Sequence, residues 1–157
     1  MRTEAERNAR GRLLLMPALA DWSTRSATPQ DIAAVLALWR AAGGPASVTD
    51  TPQALARLLR RDRDGLLIAE CEGITIASLI ALWDGWRGSF YRLAVRPERR
   101  REGIATALLR AGERRLRALG AVRLTAIVTE EDPGALEFWR AAGYQQQLDR
   151  TRFVRHL

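Results

Sequence analysis

The chain has 157 residues, 47% of them hydrophobic and 27% charged, the make-up of one folded domain with one substantial core. Its formal net charge is +7, carried by arginine, so an anionic partner is expected: a phosphorylated ligand, a nucleic acid or an acidic surface. One cysteine, Cys71, and one histidine, His156 beside the C-terminus, exclude an internal disulfide, a Cys/His zinc site and a well-positioned Ser-His or Cys-His nucleophile.

Arg2, Arg7, Arg10 and Arg12 precede "LLLMPALA", which ends in an Ala-x-Ala pattern at Ala18 and Ala20. Glu4 and Glu6 within the basic stretch and Pro17 within the apolar one argue against a signal peptide. Residues 1–18 therefore read as a flexible N-terminal extension, and 19–157 as one domain; Met16 is an alternative start. No apolar run is long enough to span a membrane, so no membrane partner is expected, and the cytoplasm is the expected location.

A first strand is expected around Leu19 to Arg25. Thr28, Pro29 and Asp31 then open a helix with a capping box, and Ile32, Val35, Leu36 and Trp39 form its apolar stripe. Thr51 and Pro52 open a second helix carrying Leu55, Leu58 and Leu59. "LLIAE" (66–70) and "ITIASLIALW" (74–83) flank Glu72-Gly73, a hairpin signal, and the second is apolar on both faces. "SFYRLAV" (89–95) reads as a third strand of that group, with Tyr91, Leu93 and Val95 on one face.

The next helix has Ala105, Leu108, Leu109, Gly112, Leu116 and Leu119 on one face and Arg110, Glu113, Arg114 and Arg117 on the other; Gly120 ends it. "VRLTAIV" (122–128) alternates as a strand, and Asp132-Pro133 opens a last helix with Ala135, Phe138, Trp139 and Ala142 inward. Two final strands are expected at 144–147 and 151–154. The order is β-α-α-β-β-β-α-β-α-β-β, and the crossover from 89 to 128 requires a parallel pair.

The stretch "RPERRREGIATALL" (96–109) joins that strand to its helix. Free N–H groups in the first helical turn, the helix dipole, a glycine without a blocking side chain and flanking arginines together suit a phosphate. Gly-Lys-Ser/Thr is absent, which argues against a P-loop, and a full Rossmann glycine set is also absent.

"LAVRPERRREGIATALL" resembles the acyl-CoA-binding motif of the GNAT N-acetyltransferase superfamily, Arg/Gln-x-x-Gly-x-Gly/Ala, with Arg100, Gly103 and Ala105 in place. "DPGALEFWRAAGY" (132–144) resembles its second motif, and "TRSATPQDIAAVLALW" its opening strand and helix. The resemblance covers about residues 20 to 154. It implies a three-layer α/β (α+β) fold, a mixed twisted sheet of about six to seven strands flanked by about four helices.

It also implies acetyl transfer from acetyl-CoA, as co-substrate and without a metal, to an amine of a small molecule or peptide. The backbone of Leu93, Ala94 and Val95 would pair with the pantetheine arm. Amides from Arg101 through Glu102, Gly103, Ile104 and Ala105 to Thr106 would hold the pyrophosphate, flanked by Arg100. A backbone N–H near Val95 would polarise the thioester carbonyl, and the amine would attack directly.

The sequence departs from the family pattern at three places. Trp139 stands where many members carry a general-acid tyrosine, Ile127 where some carry a glutamate base, and Asp132 where an asparagine often touches the cofactor. An indole N–H donates a hydrogen bond but delivers no proton. Glu130, Glu131 and Tyr91 are the substitute catalytic candidates, each with an ordinary solvated or packing role as its rival. Trp22, Trp83 and Trp86 read equally as an acceptor pocket or as packing. An acyl-CoA-binding module with weak or no turnover is the alternative, and a nucleic-acid-binding protein a remote third. The resemblance allows a homodimer, although the residues define no interface.

Overall fold

A computed structural model describes residues 20–157; the expected extension at 1–18 lies outside the described residues. The elements are β1 (Ser23–Ser26), a 3-10 turn (Pro29–Asp31), α1 (Ile32–Ala42), α2 (Pro52–Arg61), β2 (Leu66–Cys71) and β3 (Ile74–Trp83). Then follow β4 (Gly88–Val95), a 3-10 turn (Pro97–Arg99), α3 (Ile104–Ala118), β5 (Leu124–Ala126) and α4 (Pro133–Ala141). One five-stranded sheet takes the strands in chain order; β1 to β4 pair antiparallel, and β5 joins β4 in parallel.

The local signals explain these starts and stops. Asp31 accepts from the Thr28 N–H at 2.7 Å, and Thr51 Oγ1 accepts from the Ala54 N–H at 3.2 Å, so both proline-led starts are capped by their side chains. Glu72 and Gly73 take φ values of 49° and 77°, the left-handed pair that closes a two-residue hairpin between β2 and β3.

Helices cover both faces of the sheet. Leu67, Ala69, Leu79, Ala81 and Phe90 pack with Ile104, Leu108, Leu109, Leu116 and Trp139 on the α3/α4 face. Leu66, Ile68 and Ile80 pack with Val35, Leu38, Trp39, Leu55 and Leu59 on the α1/α2 face. A Cβ on Gly112 would lie 2.8 Å from Phe90 Cε1 and 3.3 Å from Ala81 Cβ, so glycine lets α3 settle this close to the sheet. Trp22 and Trp83 pack against the α3/α4 core, while Trp86 is exposed with the Arg87 guanidinium stacked on it.

Several expectations are corrected. Residues 144–147 and 151–154 form no strand, so among the described residues the sheet has five strands rather than six or seven. β5 is only three residues long and offers a short ladder, and Gln145–Gln147 supply no apolar alternation; Leu148 and Phe153 are correspondingly exposed. β1 runs from Ser23 to Ser26, later than expected. Leu119 is half exposed at the end of α3.

Glu113 is a further correction, because it is buried rather than on the polar face of α3. It accepts from Tyr144 Oη at 2.9 Å and from Arg110 Nη1 at 2.8 Å. Burial first, and then the Glu113 carboxylate, pushes the Tyr144 phenol well above its ordinary value. The folded state thus holds a proton that the unfolded chain releases above about pH 10. That contribution is complete below pH ~10 and fades as pH rises further. Chemical denaturation from pH 8 to 11 should show stability falling at the alkaline end, with a shallower fall in Tyr144→Phe.

Candidate functional site

The ladder between β4 and β5 covers only Gly88–Phe90 against Leu124–Ala126. Beyond Phe90 the two strands part, so among the described residues the β5-side edge of Tyr91–Val95 is left without a strand partner. The opening coincides with a β-bulge. Ser78 pairs Ala94 and Ile80 pairs Tyr91, so Arg92 and Leu93 both stand opposite Leu79, and Arg92 adopts a left-handed φ of 52°.

The bulge corrects the expected facing of β4. Phe90, Leu93 and Val95 pack on the α3/α4 face, whereas Tyr91, paired with Ile80, is turned to the α1/α2 face and is 41% exposed. An added residue shifts the two-residue alternation by one, which a strict alternating pattern cannot anticipate.

At its C-terminal end β4 runs into the arginine-rich turn. Arg101 and Gly103 both take left-handed φ values, 68° and 79°. Ala107 is the first residue of α3 whose N–H finds an intrahelical carbonyl, Gly103 O at 3.0 Å. The N–H groups of Ile104, Ala105 and Thr106 therefore point out of the helix end. They open on a cleft of about 250 Å³ lined by Val95, Arg99, Arg100, Arg101, Gly103, Ile104, Ala105, Thr106 and Phe138. Consecutive backbone donors, the positive end of a 15-residue helix and the lining guanidinium groups suit a pyrophosphate-sized anion.

Seven of the expected cofactor positions thus share one cleft. Glu102 is turned aside: its carboxylate accepts from Arg99 Nε at 3.0 Å. Ala94 pairs Ser78 and packs on the α1/α2 face, so only its backbone can serve the β4 edge. Asp132 caps α4 by accepting from the Ala135 N–H at 2.9 Å and does not line the cleft. Glu130 and Glu131 are exposed after β5, and no hydrogen bond or ion pair among the described residues joins either to Tyr91. Sequence reasoning left Phe138 as core and Arg99 without a role; both line the cleft, and only the fold that lays α4 beside α3 reveals it.

Three of the turn's four arginines are individually tethered. Arg96 Nε donates to Thr75 O at 3.0 Å, Arg99 Nη2 to Asp21 at 2.7 Å and Arg100 Nη2 to Ala42 O at 3.1 Å. Trp139 is 9% exposed and packs among Phe90, Phe138 and Tyr144, with ring centroids 6.0, 5.7 and 4.8 Å away.

These features define a mixed α/β protein whose sheet parts at one parallel pair, beside a helix end whose first-turn N–H groups open on a cleft. The chain belongs to the Acetyltransferase (GNAT) family, whose profile matches residues 32–144, as the motif resemblance implied. It is 32% identical over 115 residues to an acetyltransferase of Pectobacterium atrosepticum, covering 73% of this chain and 82% of that one. Among solved structures it is similar in fold to the PaiA N-acetyltransferase of Thermoplasma acidophilum in complex with coenzyme A. The TM-score is 0.72 at 15% identity, over 80% of this chain and 91% of that one. It is also similar in fold to the aminoglycoside N-acetyltransferase AAC(6')-Iy bound to a bisubstrate analogue, with a TM-score of 0.68 at 19% identity, over 87% and 98% of the two chains.

Proposed function

We propose that this protein transfers an acetyl group from acetyl-CoA to an amine, the amine attacking the thioester directly. The observation that carries this reading is the unpaired edge of Tyr91–Val95 leading straight into the donor-lined cleft at Gly103–Thr106. An extended pantetheine arm suits that edge, as a strand would, and a pyrophosphate suits the helix end. Leu93, Ala94 and Val95 supply backbone groups; Arg100, Arg101 and the amides from Glu102 to Thr106 supply the anion site.

A backbone N–H near Val95 polarises the thioester carbonyl, and much of the rate comes from holding two substrates in register. Glu130 or Glu131 receives the amine proton through water, Tyr91 faces the acceptor, and Asp132 orders the start of α4 beside the cofactor. The acceptor is a small-molecule or peptide amine.

One observation favours a second reading, an acyl-CoA-binding module with little turnover. Trp139 is sequestered in the core, and the one tyrosine near it, Tyr144, is fixed on Glu113 and held protonated. Calorimetric titration with acetyl-CoA, followed by thiol-release assays on a panel of amines between pH 7 and 9, separates the two. Binding with turnover supports the transferase. Binding without release from any amine leaves the module, and no binding overturns both.

A further inference from the structure

We propose that Arg92 is a positioning residue that ties the bulged cofactor strand to residues 45–50 and so fixes the acceptor side of the cleft. This rests on the reading above that β4 receives the acyl donor. A left-handed φ at a non-glycine residue is strained and persists where its surroundings enforce it. Around Arg92 the enforcement is visible on both backbone and side chain.

The Arg92 carbonyl accepts from Ser78 Oγ at 3.1 Å. Ser78 is completely buried and itself accepts from Trp39 Nε1 at 2.8 Å. The Arg92 guanidinium lies 5.0 Å from the centroid of the same Trp39 ring. Backbone, hydroxyl, indole and guanidinium thus close a ring that fastens the bulge to α1.

The outer side of that guanidinium holds the α1–α2 connection. Arg92 Nη1 donates to Pro45 O at 3.1 Å, and Nη2 pairs with the Asp50 carboxylate. Both partners of the pair are mostly buried, with side chains 22% and 18% exposed. Asp50 also accepts from the Ser47 N–H at 2.9 Å, so the same carboxylate organises the loop from within. Residues 43–51 carry no helix or strand, and these contacts stand in for one.

The location gives the tie its function. The cofactor cleft opens on the α3/α4 side, while Tyr91 and Arg92 face α1. An acceptor that reaches the thioester from the opposite side of β4 meets residues 45–50. Arg100, which lines the cofactor cleft and donates to Ala42 O, bounds the same connection at its start. Donor-side and acceptor-side surfaces are therefore linked through two arginines, and Arg92 is the one anchored in the bulge itself.

Amide hydrogen exchange of residues 43–51, with and without saturating acetyl-CoA, tests the tie. In Arg92→Met, exchange there should rise roughly tenfold while β2, β3 and α3 keep their rates. Acetyl-CoA should protect this segment in the parent and not in Arg92→Met, although the variant still binds the ligand within about tenfold of the parent. Arg92→Lys, which keeps the charge opposite Asp50, should restore part of the protection.

Unchanged exchange in Arg92→Met overturns the proposal, as does loosening spread evenly over the sheet or ligand protection that survives intact. If Arg92→Met does not fold, Asp50→Asn cuts the same tie from the loop side and is read by the same criteria. If the parent fails to bind acetyl-CoA, the donor reading falls, while the ligand-free rates still support or overturn the tie.

Discussion

Gly103→Glu should weaken acetyl-CoA binding roughly a hundredfold, because it sets a carboxylate in the anion site proposed at the start of α3. Gly103 has φ 79°, and a Cβ built on it meets no atom within 4 Å. The substitution therefore brings backbone strain of about 1–2 kcal/mol but no collision with the core. Gly103→Ala carries the same strain without charge, so it separates the two effects. The alanine variant should bind within about tenfold of the parent, and its melting temperature should match that of the glutamate variant. Calorimetry on all three proteins, with a thermal melt of each, makes the comparison. Equal binding by Gly103→Glu and the parent would remove the pyrophosphate from this helix end.

The fate of each arginine in the turn argues against a basic arm for nucleic acid. Arg96 is committed to Thr75 O and Glu98, Arg99 to Asp21 and Glu102, and Arg100 to Ala42 O. Two of these charges, on Arg96 and Arg99, are matched by carboxylates before any ligand arrives. What remains unmatched is local: Arg100, Arg101 and three backbone N–H groups converge on a single cleft. A polyanion needs charge spread over a contiguous surface, whereas this arrangement concentrates it at one helix end.

The signals that were legible in the sequence were those with a local cause. Thr28-Pro29-Asp31 and Thr51-Pro52 are capped as written, and Glu72-Gly73 closes the hairpin it announces. The glycine-led start of α3, with its free first-turn N–H groups, was equally readable, because those donors are backbone groups fixed by helix geometry. The bulge at Arg92 was not, since two residues facing one leave no mark on the alternation of a single strand. Glu113 looked solvated because helical spacing places it beside Arg110 and Arg114; it is buried because Tyr144, 31 residues away, supplies a donor. The failed strands after α4 depended on the length of β5, which is a property of the pairing and not of residues 144–154 themselves.

Trp139→Ala should cost about 3–5 kcal/mol of stability, a fall in melting temperature on the order of 10 °C for a chain of this size. The ring is nearly enclosed and lies against Phe90, Phe138 and Tyr144, so truncation opens a cavity at the junction of α4 with the sheet. Phe138, its neighbour in that packing, also lines the cleft proposed for the cofactor, and the cavity should loosen that wall and weaken acetyl-CoA binding as well. Trp139→Phe discriminates the two roles this position could fill. It keeps most of the packing and removes the indole N–H, so a packing residue predicts a modest loss of stability with turnover preserved. A residue donating to the departing thiolate predicts the reverse, with turnover falling while the melting temperature holds. Thermal melts and thiol-release rates on the two variants decide between them. The first outcome removes the Trp139 indole from the proton traffic and leaves it as a packing residue.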